Sequence, residues 1–153
     1  MTGEALSMHS QDEVRIRQLL AERESAMRAK DAERALADYA PEVVRFDLAP
    51  PLQHTGTRDR FVAELRDWFA DKEGPFEYEI RDLTVTVGKD VAFCHGLSRM
   101  GAPPNDSEEA FELWFRVTVG LRKIDGAWRI THEHESTPFY MDGSSKAALD
   151  LRP

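Results

Sequence analysis

The hydrophobic pattern is most regular over residues 112–139, where apolar and polar positions alternate with the period of two that is typical of β-strands. The dipeptide Asp125-Gly126 interrupts the alternation, and it suits a two-residue type I′ turn because both central residues need a positive φ. The sequence therefore predicts a long hairpin. The register of its two strands decides which side chains share a face.

In the register set by this turn, Val119 lies opposite His132 and Val117 lies opposite His134. One face of the hairpin is then apolar and ends in the two histidines and Ser136. We expect this face to form the wall of a pocket. A bulge in either strand would reverse part of the assignment.

Three helices are predicted ahead of the strands. The first follows Asp12 as its N-cap and carries apolar residues three or four positions apart. A second, shorter helix covers residues 32–40 and ends at Pro41, because proline biases the residue before it away from helical dihedrals. Thr57 caps a third helix over residues 58–70, after an irregular loop rich in proline and glycine.

Besides the hairpin, short strands are predicted over residues 43–48, 76–87 and 91–100, with a loop over 101–108. The sequence does not show which side of the strand at 91–100 faces inward. Helices followed by antiparallel strands are typical of an α+β domain with its helices on one face of the sheet.

The expected organisation is a single domain with short terminal extensions. Residues 1–11 are expected to be a disordered lead-in, residues 12–139 the domain, and residues 140–153 a tail that packs on the domain.

The composition of the chain excludes several classes of protein and of binding partner. A formal charge of −8 over 153 residues argues against a nucleic-acid partner, which would need a basic surface. Cys94 is the single cysteine, which excludes an internal disulfide and a cysteine-based metal cluster. The N-terminus lacks the basic and apolar regions of a secretory signal, and no apolar run is long enough to span a membrane. We therefore expect a cytoplasmic protein with no membrane partner.

The order of the elements and the motif DGAWRITHEHESTP resemble the SnoaL-like or ketosteroid isomerase homologue family, within the nuclear transport factor-like superfamily. The resemblance covers roughly residues 12–139. It implies an α+β, cone-shaped and barrel-like fold, in which three N-terminal helices pack on a curved, mainly antiparallel sheet and enclose a pocket. It also implies a small-molecule-binding protein, either a cofactor-independent isomerase, cyclase or dehydratase with an acid–base pocket, or a non-catalytic module for ligand binding or oligomerisation.

The same resemblance implies a role for Asp47, which an ungapped match places where the isomerases carry their general base. Arg23 stands where those enzymes carry an essential tyrosine, so steroid isomerisation itself is not expected. His132 and His134 join Asp47 as candidate catalytic residues, because the predicted register turns both rings toward the pocket. Without the resemblance, the chemistry of Asp47 favours a loop residue that caps backbone N–H groups before Pro50-Pro51, and the resemblance makes the two interpretations about even.

Six further residues are candidates for ligand binding, chosen for their place on the predicted pocket face or at its mouth: His54, Trp68, Phe115, Val117, Trp128 and Ser136. Two histidines spaced two apart on a strand could supply two metal ligands, with a third from Asp47, His54 or His95. No metal motif has the spacing to support that reading, so we expect neither a metal nor a cofactor. The expected ligand is small and hydrophobic, or partly polar.

Trp114 suggests a protein partner. In the predicted register it lies on the outer, mostly polar face of the hairpin, where a large aromatic side chain is typical of a covered surface. Relatives with this fold commonly dimerise through that face. We therefore expect a homodimer that buries Trp114 at the outer face of the sheet.

Overall fold

The computed structural model describes residues 3–102 and 111–153, with side chains from Met8 onward. Nine helices and strands follow one another in these ranges: α1 (Gly3–Arg28), α2 (Ala32–Ala35), β1 (Tyr39–Phe46), β2 (His54–Thr57), α3 (Arg58–Ala70), β3 (Glu77–Val87), β4 (Val91–Ala102), β5 (Phe111–Ile124) and β6 (Ala127–Ser136). None of the helices in these ranges has a stretch long and apolar enough to cross a membrane. Most of the predicted loop at 101–108 lies outside the described residues.

The six strands form one curved, open sheet in the order β2-β1-β6-β5-β4-β3. Every neighbouring pair is antiparallel except β1 and β6, which are parallel. Helix α1 packs along β3 and α3 packs against β1 and β2, so the helices cover the inner face of the sheet. The predicted α+β architecture is confirmed.

Helix α1 begins at Gly3, well before the predicted start. The expectation of a disordered lead-in is therefore wrong from residue 3 to residue 11. The segment contains glutamate, alanine, leucine and methionine and no proline, so its helix propensity is high enough to continue the helix backward. Residues 1 and 2 lie outside the described range.

Asp12 is not an N-cap, because it lies inside α1. Its Oδ1 accepts a hydrogen bond from Trp128 Nε1 at 2.9 Å and lies 3.1 Å from Lys123 Nζ. These two contacts connect the helix to the far end of the β5–β6 hairpin, next to the turn.

The segment predicted as a second helix is divided between two elements. Helix α2 covers only Ala32–Ala35, and strand β1 begins at Tyr39 and contains Pro41. Proline is tolerated here because the pairing of β1 with β6 is irregular between Tyr39 and Val44, so the ladder does not require the missing N–H. The predicted strand start at residue 43 is therefore four residues late.

The chain before α3 is more regular than predicted. Residues 54–57 form strand β2, which pairs with the edge of β1, although the sequence suggested only an irregular loop. Helix α3 covers Arg58–Ala70 as predicted, and Thr57 Oγ1 accepts a hydrogen bond from the Arg60 N–H at 3.2 Å. The predicted helix and its cap are confirmed.

The hairpin turn is also confirmed. Asp125 and Gly126 have φ values of 51° and 80°, and Ile124 pairs with Ala127 across them. The predicted register holds only as far as Leu121 opposite Ile130, after which Gly120 pairs with His132. Thr131 is an extra residue in β6, which makes this a β-bulge.

The bulge reverses the faces of the rest of β6. Glu133 lies opposite Val119 and Glu135 opposite Val117, so the two carboxylates share the inner face with the buried valines. The predicted register is therefore wrong for residues 132–136. A shift of one residue exchanges every side chain between the two faces of a strand.

Strand β4 turns its small residues inward. Ala92, Cys94 and Ser98 are buried, whereas Val91 and Phe93 are exposed on the outer face. The inner face of β4 lies against the rest of the core, which accommodates small side chains. Residue size therefore decides the orientation that the sequence left open.

The segment after β6 lies on the outer face of the sheet. Phe139 and Ala147 form an isolated bridge, and Arg152 Nη2 lies 3.7 Å from Glu112 Oε2. Together with neighbouring strands the end of this segment forms a groove of about 180 Å³. The residues that line it include Leu97, Trp114, Thr137, Pro138, Leu151 and Pro153.

Asp12→Ala tests the contact between α1 and the hairpin. The substitution removes the acceptor of the Trp128 indole and the partner of Lys123, so we expect a loss of about 1–3 kcal/mol in the free energy of unfolding. Urea denaturation followed by tryptophan fluorescence measures it. Glu22→Ala is the matched control on the same helix, where the carboxylate is exposed. An equal, small effect of both substitutions would show that the contact contributes nothing.

Candidate functional site

A cavity of about 320 Å³ lies between the helices and the inner face of the sheet. Its lining is largely apolar, with a small group of charged side chains on one side. The residues that line it are Arg23, Met27, Leu36, Arg45, Asp47, Leu48, Ala49, Phe61, Glu64, Leu65, Trp68, Tyr78, Met100, Phe115 and Glu135. An apolar concavity with a few convergent polar groups is typical of small-molecule sites.

Glu133 lies behind the cavity wall and contacts the charged side chains on that side of the cavity. Its side chain is 1% exposed and forms an ion pair with the guanidinium of Arg23, which reaches it from α1. The Tyr39 hydroxyl donates a hydrogen bond to Glu133 Oε2, and Arg45 Nε lies 3.9 Å from the same oxygen. A buried carboxylate needs such partners, because an unpaired charge in this position would be very costly.

Asp47 forms the second ion pair of the group. Arg45 donates to its Oδ1 from Nε at 3.0 Å and approaches it from Nη2 at 2.9 Å. His54 Nε2 lies 3.6 Å from the other oxygen, Oδ2. The Asp47 side chain is 19% exposed and faces the cavity, so it remains accessible to a ligand while it is held in place.

Glu135 is the carboxyl group without a fixed partner. Within residues 3–102 and 111–153, neither an ion pair nor a hydrogen bond engages its side chain. Burial raises the pKa of Glu135 above its ordinary value, and the charge of Asp47 adds to this effect, while Arg45 and Arg23 oppose it. The folded protein therefore favours the neutral, protonated form of Glu135 more than an unfolded chain does.

Two buried tyrosines lie at the polar side of the cavity, Tyr78 in its lining and Tyr39 behind it. Burial raises the pKa of Tyr39 and of Tyr78, so both phenols keep their protons near neutral pH. The hydroxyl of Tyr39 donates its hydrogen bond to Glu133. The hydroxyl of Tyr78 belongs to a residue that lines the cavity.

The arrangement combines two carboxyl groups in different surroundings. Asp47 is paired with a guanidinium, whereas Glu135 is half-buried in the cavity lining and has no partner among the described residues. Carboxyl groups whose surroundings differ in this way can act as a proton acceptor and a proton donor in the same site. Acid–base chemistry on a bound molecule is therefore within the capacity of this cavity.

The structure brings together some of the residues that the sequence suggested. Asp47, Trp68 and Phe115 line the cavity, and His54 lies behind Asp47. Val117 belongs to the buried core outside the lining.

Trp128 and Ser136 are placed elsewhere. The Trp128 indole donates to Asp12 at the other end of the hairpin, far from the charged group, and is a structural residue. Ser136 pairs with Arg116 beyond the bulge, which places it on the outer side of β6. Neither residue is in the cavity lining.

The two histidines do not reach the cavity. Because of the bulge, His132 and His134 lie on the outer face, where both rings pack edge-on against Phe46. His132 Nδ1 lies 2.7 Å from the Val44 carbonyl oxygen, and His134 is exposed. The prediction that these rings form the pocket wall is wrong. Of the suggested third metal ligands, Asp47 lies on the cavity side, whereas His95 lies on the outer face with both histidines but two strands away from them.

Sequence reasoning missed Glu133, Glu135 and Arg45 as parts of the site. Two signals were present in the sequence. Arg23 falls in the inward stripe of α1, and a buried arginine requires a carboxylate nearby. Gly120 lies in the middle of a strand, where an isolated glycine often marks a bulge.

An open, curved sheet that encloses a cavity under its helices is the architecture of the NTF2-like superfamily. The model of the SnoaL-like domain matches residues 16–140, and the chain belongs to this family. This fold supports a small-molecule-binding domain. No curated protein matches the chain significantly.

Solved structures support the same assignment. An NTF2-like protein of unknown function from Pseudomonas putida shares 34% identity over 97% of this chain and 98% of its own, with a TM-score of 0.82. An NTF2-like protein from Streptomyces avermitilis, provisionally described as a dehydratase, shares 20% identity over 84% of this chain and 97% of its own, with a TM-score of 0.67. The association domain of C. elegans CaMKII shares 20% identity over 88% and 100%, with a TM-score of 0.61. The last two similarities show the fold alone.

Glu135→Gln tests the shifted pKa. Because the folded pKa lies above the unfolded value, the wild-type protein loses stability relative to the variant as the pH rises from about the ordinary value of 4.5 through the folded pKa. Urea unfolding of both proteins at several pH values gives the difference in free energy of unfolding. We expect this difference to grow with pH in favour of the glutamine.

The control for this series is Glu73→Gln, whose side chain is exposed in the loop after α3. Its difference from wild type should stay constant over the same pH range. A constant difference for Glu135→Gln, or one that shrinks as the pH rises, would contradict the assignment of Glu135 as a buried acid.

Proposed function

We propose that the cavity binds a compact, largely apolar molecule and exchanges a proton with it through Glu135 and Asp47, without a cofactor. The observation that carries the proposal is Glu135, a carboxyl group that lines an apolar cavity and has no fixed partner among the described residues. Such a group is free to donate a proton to a ligand or to accept one from it. The reaction class is an isomerisation, cyclisation or dehydration.

The surroundings of Asp47 and Glu135 support different roles for the two carboxyl groups. Its ion pair with Arg45 holds the carboxylate at the cavity surface, which suits a proton acceptor. Burial raises the pKa of Glu135, which suits the donor. Arg23 occupies the position of the isomerase tyrosine, so a neutral phenol is replaced by a permanent positive charge that is already paired with Glu133. This difference argues against steroid isomerisation and favours another substrate.

Exchange of the α-protons of 2-tetralone in deuterated water tests the proposal, because the compound is small and apolar and carries one activated carbonyl. We expect the wild-type protein to accelerate the exchange over buffer, as measured by proton NMR. Glu135→Gln and Asp47→Asn should each lower the protein-dependent rate by about 100-fold or more. Glu73→Gln, remote from the cavity, is the control.

Three outcomes would contradict this proposal. If both cavity variants accelerate the exchange as the wild-type protein does, Glu135 and Asp47 take no part in the reaction. Loss of acceleration in His134→Ala, with Glu135→Gln unaffected, would restore the histidines on the outer face as the reacting groups. Binding of the ketone without any exchange would favour the alternative, a non-catalytic ligand-binding module.

We also propose that two copies of the chain associate through the outer face of the sheet. The sequence argument for this homodimer, an uncovered tryptophan, does not hold, because Trp114 is only 9% exposed within the single chain. Its indole donates to Glu112 and lies under the guanidinium of Arg81. The support comes instead from Phe93, which is 47% exposed beside Val91 on the outer side of β4.

Phe93→Glu tests the association. A charge placed in an apolar interface should convert a dimer into a monomer at micromolar concentration, as measured by light scattering after size-exclusion chromatography. Val14→Glu replaces an exposed apolar residue on α1 and should leave the mass unchanged. A monomeric wild-type protein, or a dimer that persists in Phe93→Glu, would contradict association through this face.

A further inference from the structure

The charges around the cavity do not balance. Two guanidinium groups, from Arg23 and Arg45, line it together with the carboxyl groups of Asp47, Glu64 and Glu135. Glu133 adds a further carboxylate directly behind the wall. The site therefore contains more acidic than basic groups.

The existing pairs account for all but one of these acids. Arg45 is engaged by Asp47 at 2.9 Å, and Arg23 by Glu133. Glu64, at the mouth, accepts from Arg60 Nε at 3.0 Å. Among the cavity-lining acids that the structure describes, only Glu135 remains without a cation.

The surroundings of Glu135 suit a positive charge. The cavity lining includes the aromatic rings of Phe61, Trp68, Tyr78 and Phe115. Two of these rings already attract cations from the protein: the Arg45 guanidinium lies 5.2 Å from the centre of Phe61, and Lys72 Nζ lies 4.6 Å from the centre of Trp68. A carboxyl group among aromatic rings is a common arrangement for binding an ammonium group, because the ring faces carry negative partial charge.

A negatively charged ligand is disfavoured by the same groups. It would have to share an arginine with the carboxylate of Asp47 or Glu133, and it would lie near Glu135, so like charges would repel it in a poorly hydrated site. A neutral ligand would leave Glu135 in the protonated form that burial favours, whereas an ammonium group would stabilise its carboxylate and pair with it.

We infer that the natural ligand has an apolar body and an ammonium group, and that the ammonium group pairs with Glu135. This inference rests on the proposed function, since it names the class of molecule that the same cavity binds. The apolar body packs between Phe115 on the sheet and Trp68 on α3, which line the cavity from opposite sides. The ammonium group is the cation that Glu135 lacks among the described residues.

Three compounds that share one bicyclic body test the inference: 2-(aminomethyl)naphthalene, 2-(hydroxymethyl)naphthalene and naphthalene-2-carboxylate. Isothermal titration calorimetry at neutral pH gives the affinity of the protein for each. We expect the ammonium compound to bind about 10-fold or more tightly than the alcohol, because a charged hydrogen bond contributes more than a neutral one. The carboxylate should bind most weakly.

The substitution Glu135→Gln separates the ammonium contact from general burial of the ring system. The variant should lose about 10-fold or more in affinity for the ammonium compound, while its affinity for the alcohol changes by less than about 3-fold. Glu73→Gln should leave all three affinities unchanged. Far-UV circular dichroism confirms that the variants are folded.

The outcomes distinguish this inference from the proposal on which it rests. If the alcohol or the carboxylate binds as tightly as the ammonium compound, the ammonium inference is wrong, although the cavity still binds small molecules. If Glu135→Gln leaves the affinity for the ammonium compound unchanged, the inference is also wrong. If none of the three compounds binds, both the inference and the proposed cavity function are contradicted.

Discussion

The guanidinium of Arg23 needs a negative partner in a place that water barely reaches. It projects from the inward stripe of α1, with a side chain that is only 9% exposed, and Glu133 provides that partner. A buried guanidinium left without a carboxylate would cost several kcal/mol. The pair therefore constrains β6, because Glu133 must face inward beneath the helix.

Only a bulge satisfies that constraint while the turn at Asp125-Gly126 is retained. A regular ladder from this turn would present His132 and His134 on the inner face, and Arg23 would lack an anion, whereas Arg45 would keep its pair with Asp47. Thr131 as an extra residue shifts β6 by one position and brings Glu133 and Glu135 inward. The local cost of an irregular ladder is small compared with that of an unpaired buried cation. Glu135 reaches the cavity as a consequence of pairing Arg23.

Local signals predicted the elements better than the site. The hairpin turn, α3 and its Thr57 cap depend on neighbouring residues, and each lies where the sequence indicated. The face of β6 depends instead on a contact between Glu133 and Arg23, which are 110 positions apart, and no local pattern encodes it. Asp47 was found through the resemblance to the isomerases, which places their general base directly after β1. Glu135 was missed because its orientation depends on the distant arginines.

The alternation His-Glu-His-Glu gives β6 a property that no single side chain possesses. Its odd and even positions carry two complete sets of functional groups, one aromatic and basic, the other acidic. Which set meets a ligand depends on parity, the odd or even number of residues between the turn and the cavity. Two proteins with identical residues in this strand would present opposite chemistries if one had the bulge and the other did not. To infer function from a strand motif in this family, one must therefore know how many bulge residues, unpaired in the ladder, lie between the turn and the motif.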